Sequence, residues 1–255
     1  MFTAAADAYD RFMGRYSGPL APVFCDFAGV EAGQRVLDVG CGPGALVAEL
    51  VRRVGTEAVA GVDPAEQFVA ATRQRHPRVD VRQASAEQLP FGKDEFDTSL
   101  AQLVVHFMAD PLTGLREMAR VTRTGGVVAA CVWDNAGGHT PLGPVWRAVM
   151  KVDPTGEDES LLPGTREGHL GELFREAGIR DVQESAMPVR IEHATFDEWW
   201  QPFTGGVGPA GVYLKEHPER EDDIRELCRA ELGEPFVLET RAWAARGVAH
   251  RPQEQ

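Results

Sequence analysis

The chain has 255 residues, 43% hydrophobic and 25% charged, which suits a soluble globular protein with one sizeable core. A formal net charge of −13 argues against nucleic acid and anionic membrane as partners, because both are polyanions. Cys25, Cys41, Cys131 and Cys228 are scattered and form no C-x-x-C pair, so no disulfide framework, no metal site and a cytoplasmic setting are expected. No signal peptide or membrane span is legible.

Residues 2–28 read as two helices, broken at Gly14 and restarted by Ser17-Gly18-Pro19. Their aromatic residues either pack the segment on the core or make it a lid. In the lid reading, Tyr9 and Arg15 would face a cofactor and Tyr16 a substrate. After the turn at Gly29–Gly33, Val36-Leu37-Asp38-Val39 is a short apolar strand, and Gly40, Gly42 and Gly44 follow in a G-x-G-x-G pattern. Leu46, Val47, Leu50, Val51 and Val54 then recur at helical spacing. A strand, glycine loop and helix bring backbone N–H groups close to a ligand, since glycine has no Cβ to block the approach. Asp38 at the mouth of that loop would repel a phosphate and suits a ligand carrying positive charge.

Ala58–Val62 is a second buried strand ending at Asp63, 19 residues after Gly44, where an acidic side chain can accept both hydroxyls of a ribose. Asp63 could equally cap the helix over 64–76 that Pro64 opens. Strands follow over 79–83, 96–101 and 127–133, with a helix capped by Asp110-Pro111 and running through Val121. Strict alternation of helices with near-continuous apolar strands predicts a parallel sheet covered on both faces. The pattern dissolves over 134–163, apart from a helical turn near Val145–Met150. It resumes as a helix over 167–177 and a strand over 182–191. A second irregular stretch fills 196–233 and ends in a charged helix, 218–232, before a last strand over 236–245. The acidic runs Glu157-Asp158-Glu159 and Glu219–Asp223 read as solvated surface.

Four stretches in register resemble the class I S-adenosylmethionine (SAM)-dependent methyltransferases, in particular the small-molecule branch similar to the ubiquinone/menaquinone-biosynthesis enzymes. They are Val36–Gly44, Asp63, Ala84-Ser85-Ala86-Glu87-Gln88-Leu89-Pro90-Phe91 leading to Phe96-Asp97, and Leu115–Gly126. The resemblance covers about 36–133 and is loose elsewhere. It implies an α/β, Rossmann-like seven-stranded sheet, order 3-2-1-4-5-7-6 with the seventh strand antiparallel. The chain would be a single domain, 1–255, with an N-terminal helical cap over 1–30 and lid insertions over 134–163 and 196–233. It also implies SAM as cofactor, with S-adenosylhomocysteine as product. The backbone of Gly40, Cys41 and Gly42 would meet the methionyl part and Asp38 its amino group. Asp63 would take the ribose hydroxyls, Pro64 and Ala86 the adenine, and Gln102 the methionine moiety. Ser85 stands where the family often has Asp, and a hydroxyl accepts more weakly, with Glu87 or Gln88 as compensation.

Methyl transfer needs an acceptor held in line and water excluded; a base is needed only if the acceptor loses its proton early. His106, just past the fourth strand, is the candidate for that base or for a substrate contact. A scaffold role is the alternative. His139 and His169 are further candidates, and His76, His193, His217 and His250 read as surface residues. Trp133, Trp146, Trp199, Trp200 and Phe203 fall where a roof over the site would lie, so Tyr16, Trp133, His139, Trp199 and Phe203 are candidate substrate contacts for an aromatic or apolar small molecule, unless they pack the insertions onto the sheet. A monomer or homodimer is expected. A SAM-binding protein without transfer activity remains open on the residues alone. A nicotinamide oxidoreductase is disfavoured, because the loop lacks the third glycine of G-x-G-x-x-G and Asp38 would face pyrophosphate.

Overall fold

A computed structural model describes residues 6–156, 158–206 and 208–250, with side chains in the first helix described from Phe12 onward. Seven strands form one sheet: Val36–Val39 (β1), Val59–Asp63 (β2), Asp80–Gln83 (β3), Phe96–Gln102 (β4), Thr122–Trp133 (β5), Arg180–His193 (β6) and Phe236–Val248 (β7). Their order is β3-β2-β1-β4-β5-β7-β6. The first five pair in parallel, and β7 runs antiparallel to both β5 and β6.

Alternation along each central strand sends side chains to two cores. Leu37 and Val39 of β1, and Val128, Ala130 and Val132 of β5, face the helices Pro111–Val121 (α4) and His169–Glu176 (α6). Val36, Ala129, Cys131 and Trp133 face the other way, toward Ala6–Ala28 (α1) and Ala45–Val54 (α2). The helix Glu66–Arg75 (α3) follows β2, and Gly143–Val152 (α5), Phe196–Thr204 (α7), Gly208–Glu216 (α8) and Glu221–Leu232 (α9) complete the α1 side. No helix among the described residues is long and apolar enough to cross a membrane.

Several boundaries follow the local signals. Asp110 caps α4 by accepting from the Leu112 and Thr113 N–H groups at 3.1 Å each, with Pro111 in the first turn. Others are overridden by packing. The expected break at Gly14 is absent: α1 is one 23-residue helix containing Pro19 and Pro22. Each proline removes one backbone bond, but Leu20, Ala21, Phe24 and Cys25 are fully buried on either side of them and hold the helix to the sheet. The stretch expected to be irregular after β5 contains a three-turn helix, α5, whose Arg147 bonds Glu231 of α9. Strands β6 and β7 are longer than their apolar cores predicted, because the register between them runs on through polar residues to Arg180 and Val248. His193, expected at the surface, is 1% exposed; it stacks on Phe236 and bonds the Tyr16 hydroxyl through Nε2 at 3.1 Å. All four cysteines are buried and unpaired.

Candidate active site

The loop after β1 is built by its neighbours. Gly40 N–H and Cys41 N–H both donate to the Val62 carbonyl of β2, at 2.8 and 2.9 Å. The Thr72 hydroxyl donates to the Gly42 carbonyl at 2.7 Å, and Arg75 donates to the Pro43 carbonyl at 2.8 Å. Gly40 has φ +74, and a Cβ there would lie 2.4 Å from Val104 Cγ2. Gly42 also has positive φ, but a Cβ there would meet nothing within 4 Å. One glycine is therefore needed for packing and the other leaves an open concavity. The Cys41 side chain turns inward against Gly61, so only its backbone borders that concavity.

Two carboxylates flank the loop with different environments. Asp38 shares the α1 side of β1 with Val36 and is 1% exposed, and neither of its carboxylate oxygens has a partner. Burial, with the charge of Asp63 adding to it, pushes its pKa up to about 8. A buried, unbonded carboxylate is costly, and a cationic ligand group would relieve it. Asp63 is anchored: one oxygen accepts from Gly42 N–H and the other from Ala65 N–H, both at 2.9 Å. Its position one residue before Pro64 serves the turn into α3, although Ala65 is the helix cap. Burial raises its pKa while those two N–H bonds pull it down.

The remaining residues expected around a cofactor divide. Ala86 is buried, whereas Ser85 and Pro64 are exposed. Glu87 turns away from them and caps the approach to α4, accepting from Ala109 N–H at 2.8 Å and Asp110 N–H at 3.3 Å. That use of its carboxylate removes it as the compensation expected for Ser85. Gln102 ends β4; its amide donates to the Ser17 carbonyl of α1 at 3.0 Å, and its side-chain oxygen, fully buried, has no partner. Arg15 is ion-paired with Glu198 and leans on His193 at 3.4 Å. The side chain of Tyr9 lies outside the described residues.

Next to the loop, Leu103 takes φ +63, an uncommon conformation for a branched side chain, and turns the chain from β4 into a short helical turn, Val105–Phe107. Leu103, His106 and Phe107 from this segment, with Trp133 at the end of β5, line a narrow cleft. Phe12 and Met13 of α1 and Gly208-Pro209 of α8 border it as well. His106 is 6% exposed with an unpartnered Nδ1, and burial pushes its pKa down to about 3, so it is uncharged at neutral pH. The Trp133 indole N–H is buried and also unpartnered. Unbonded buried polar atoms are rare in folded proteins, and Asp38, Gln102, His106 and Trp133 place several of them toward the C-terminal ends of the central strands β1, β4 and β5.

Other expected substrate contacts are elsewhere. Trp199 and Phe203 are core residues, packed ring to ring at 5.1 Å with Phe196 and Phe236 around Trp199. Tyr16 is 1% exposed and spends its hydroxyl on His193. His139 bonds Asp134 Oδ2 at 3.0 Å, and Arg241 of β7 bonds the same carboxylate. This trio ties the start of the 134–163 stretch to the sheet and does not line the cleft. His169 Nδ1 accepts from Gly164 N–H at 3.2 Å. Much of the cleft lining is not legible in the sequence. Phe12 is one of the aromatics that read either as packing or as part of a lid, and Glu159 falls in a run that reads as solvated surface, yet Glu159 is 8% exposed and lines the cleft. Nothing local distinguishes it from Asp158.

The family of methyltransferase domains matches residues 37–130. An uncharacterized protein of Mycobacterium tuberculosis is 28% identical over 224 residues, covering 84% of this chain and 81% of its own length. The ubiquinone/menaquinone biosynthesis C-methyltransferase of Bdellovibrio bacteriovorus is 38% identical over 106 residues, 40% of this chain and 45% of its own. Among solved structures, the YcgJ protein of Bacillus subtilis superposes with a TM-score of 0.61 at 22% identity, covering 91% of this chain and 98% of that one. The matched domain begins inside β1, three residues before the first loop glycine, and takes in the carboxylates, Gln102 and His106. The residues that build the site are thus the residues that carry the kinship: the stretch 37–130 is a methyltransferase domain, set in a seven-stranded sheet of the Rossmann-like methyltransferase order.

Proposed function

We propose that this SAM-dependent methyltransferase acts on a small, apolar or aromatic molecule bound in the cleft lined by Leu103, His106, Phe107 and Trp133. The observation that supports the reading is the segment 103–107, whose Val104 packs on Gly40 of the glycine loop while Leu103, His106 and Phe107 line the cleft. The residues fit the cofactor: Asp38 is a bare buried carboxylate for its amino group, Asp63 has lone pairs left for ribose hydroxyls, and Gly42 leaves the space beside the loop open. SAM supplies an activated methyl group and departs as a neutral thioether.

The chain's own part is placement and exclusion of water. Apolar walls from α1, β5 and α8 shield the acceptor. His106 serves as a hydrogen-bonding group and not as the expected general base. With its pKa at about 3, taking a proton from a phenol near 10 would be uphill by roughly 9 kcal/mol. Its unpartnered Nδ1 donates or accepts according to tautomer and so can orient an acceptor. The four unpaired thiols accord with a reducing compartment.

Calorimetry with SAM, S-adenosylhomocysteine and NAD, followed by transfer of labelled methyl to a panel of aromatic and apolar acceptors, tests this function. Both SAM-type ligands are expected to bind, NAD is not, and label is expected in a small organic product. SAM binding with no transfer to any acceptor would support a non-transferring role, and NAD binding without SAM binding would sink the assignment.

A further inference from the structure

The cleft carries a charge pattern that its apolar walls obscure. Among the described residues lining it, Glu159 is the one carboxylate, and no lysine or arginine is present. His106 is uncharged. Three aromatic faces, Phe12, Phe107 and Trp133, meet at the same cleft. Aromatic faces with a carboxylate form a site for a cation, since the ring quadrupole and the carboxylate attract positive charge together. An anion would find repulsion from Glu159 and no counter-charge. A neutral molecule would leave Glu159 without a counter-charge and favour its protonated form, so the charged carboxylate is used only by a cation.

We propose that the cleft takes a small organic ammonium, an apolar ring or chain carrying a basic nitrogen, with Glu159 as its counter-charge. The inference rests on the cleft being the acceptor site, as argued above, and names the class of acceptor. Two independent features support it. Glu159 lies in a segment whose fold buries it: its carbonyl accepts from Leu162 N–H at 3.2 Å, and the Thr165 hydroxyl bonds the Ser160 and Leu162 carbonyls at 2.9 and 2.7 Å, closing a tight turn beneath the cleft. Burial, reinforced by the charge of neighbouring Asp158, raises the Glu159 pKa to about 7, so an arriving cation draws it into the charged form. The second feature is the unpartnered, buried polar edge of the same cleft, His106 Nδ1 and Trp133 Nε1, which calls for a ligand with polar as well as apolar parts. The net charge of −13 further favours the approach of cations over anions.

The test uses three isosteric probes, 2-phenylethylamine, 2-phenylethanol and phenylacetate. Each is titrated calorimetrically at neutral pH into the full-length protein, free and saturated with S-adenosylhomocysteine. The amine is expected to bind at least tenfold more tightly than the alcohol, and phenylacetate weakest. Glu159→Gln is expected to weaken the amine roughly tenfold or more while leaving the alcohol and S-adenosylhomocysteine within about twofold. Glu159→Asp keeps the charge and is expected to keep the amine preference, which holds the test open if the glutamine variant folds poorly. Equal binding of amine and alcohol, no amine binding at millimolar concentration, or a glutamine variant indistinguishable from wild type overturns the proposal. Failure of S-adenosylhomocysteine to bind bears on the methyltransferase function instead, and the titrations into free protein still decide the ammonium site.

Discussion

Gly40→Ala is expected to unfold the loop and abolish SAM binding. Two separate penalties add at this position. The backbone sits at φ +74, where an L-residue loses about 1–2 kcal/mol relative to glycine. The new methyl would lie 2.4 and 2.6 Å from the two Val104 methyls, an overpacking that adds roughly 1–3 kcal/mol. The sum is a large share of a total stability of about 5–15 kcal/mol. Urea midpoints read it directly. The double variant Gly40→Ala/Val104→Ala should recover the steric part and retain the backbone part, so full recovery or none would contradict the division. Gly42→Ala is the contrast. Its Cβ meets no protein atom, so stability should fall by about 1 kcal/mol while S-adenosylhomocysteine affinity falls more, because the methyl points into the ligand's side of the loop.

Asp38→Asn is expected to stabilise the free protein above neutral pH and to weaken SAM. The folded pKa of Asp38, about 8, lies above the 3.8 of an ordinary aspartate. Its stability contribution is therefore fully present below pH 3.8 and is lost as pH rises through 8, a loss on the order of 5 kcal/mol at the upper end. Asparagine removes that slope. His106 and His193, whose pKa values burial lowers, act in the opposite sense: their contribution is present above about 6.5 and lost as pH falls below it. Glu159, raised to about 7, and Asp63, also raised, act in the same sense as Asp38, so the difference between wild type and Asp38→Asn in thermal scans from pH 5 to 9 isolates Asp38. The same carboxylate should make SAM affinity rise with pH up to about 8, since binding a cation releases its proton. Above that, the ligand's own α-amino group, near 8, begins to lose its charge. In Asp38→Asn the rising limb should vanish and affinity should drop by about 1–3 kcal/mol. An unchanged profile in calorimetry would place the amino group elsewhere.

These two residues were legible in the sequence because the loop's geometry is local. A short apolar strand interrupted by Asp38 and followed by spaced glycines has few other uses, and the Asp110-Pro111 cap likewise marked α4 without help from the rest of the chain. What escaped was set by distant partners. Gly14 predicts a break and Ser17-Gly18-Pro19 a restart, yet α1 runs through both because the sheet supplies a continuous apolar surface beneath it. His193 is buried by Phe236 and Tyr16, residues 43 and 177 positions away by number. Trp199 packs on Phe236 of β7 and Phe203 on Phe12 of α1, and no count of aromatics could separate that role from a substrate roof. Glu159 was hidden most completely, since an acidic run with no helical period gives no sign of which member a tertiary fold will enclose.

The four cysteines give the folded protein a second use at the bench. Each thiol is buried, and burial pushes the pKa of Cys25 and Cys228 up to about 12 and those of Cys41 and Cys131 upward as well, so almost no thiolate is present at neutral pH. An alkylating reagent can therefore react only with molecules that have opened locally or globally. Because the four lie on α1, in the glycine loop, in β5 and on α9, their separate labelling rates form a map of where the molecule breathes. Cofactor should slow Cys41 most, as the thiol seated under the loop it orders.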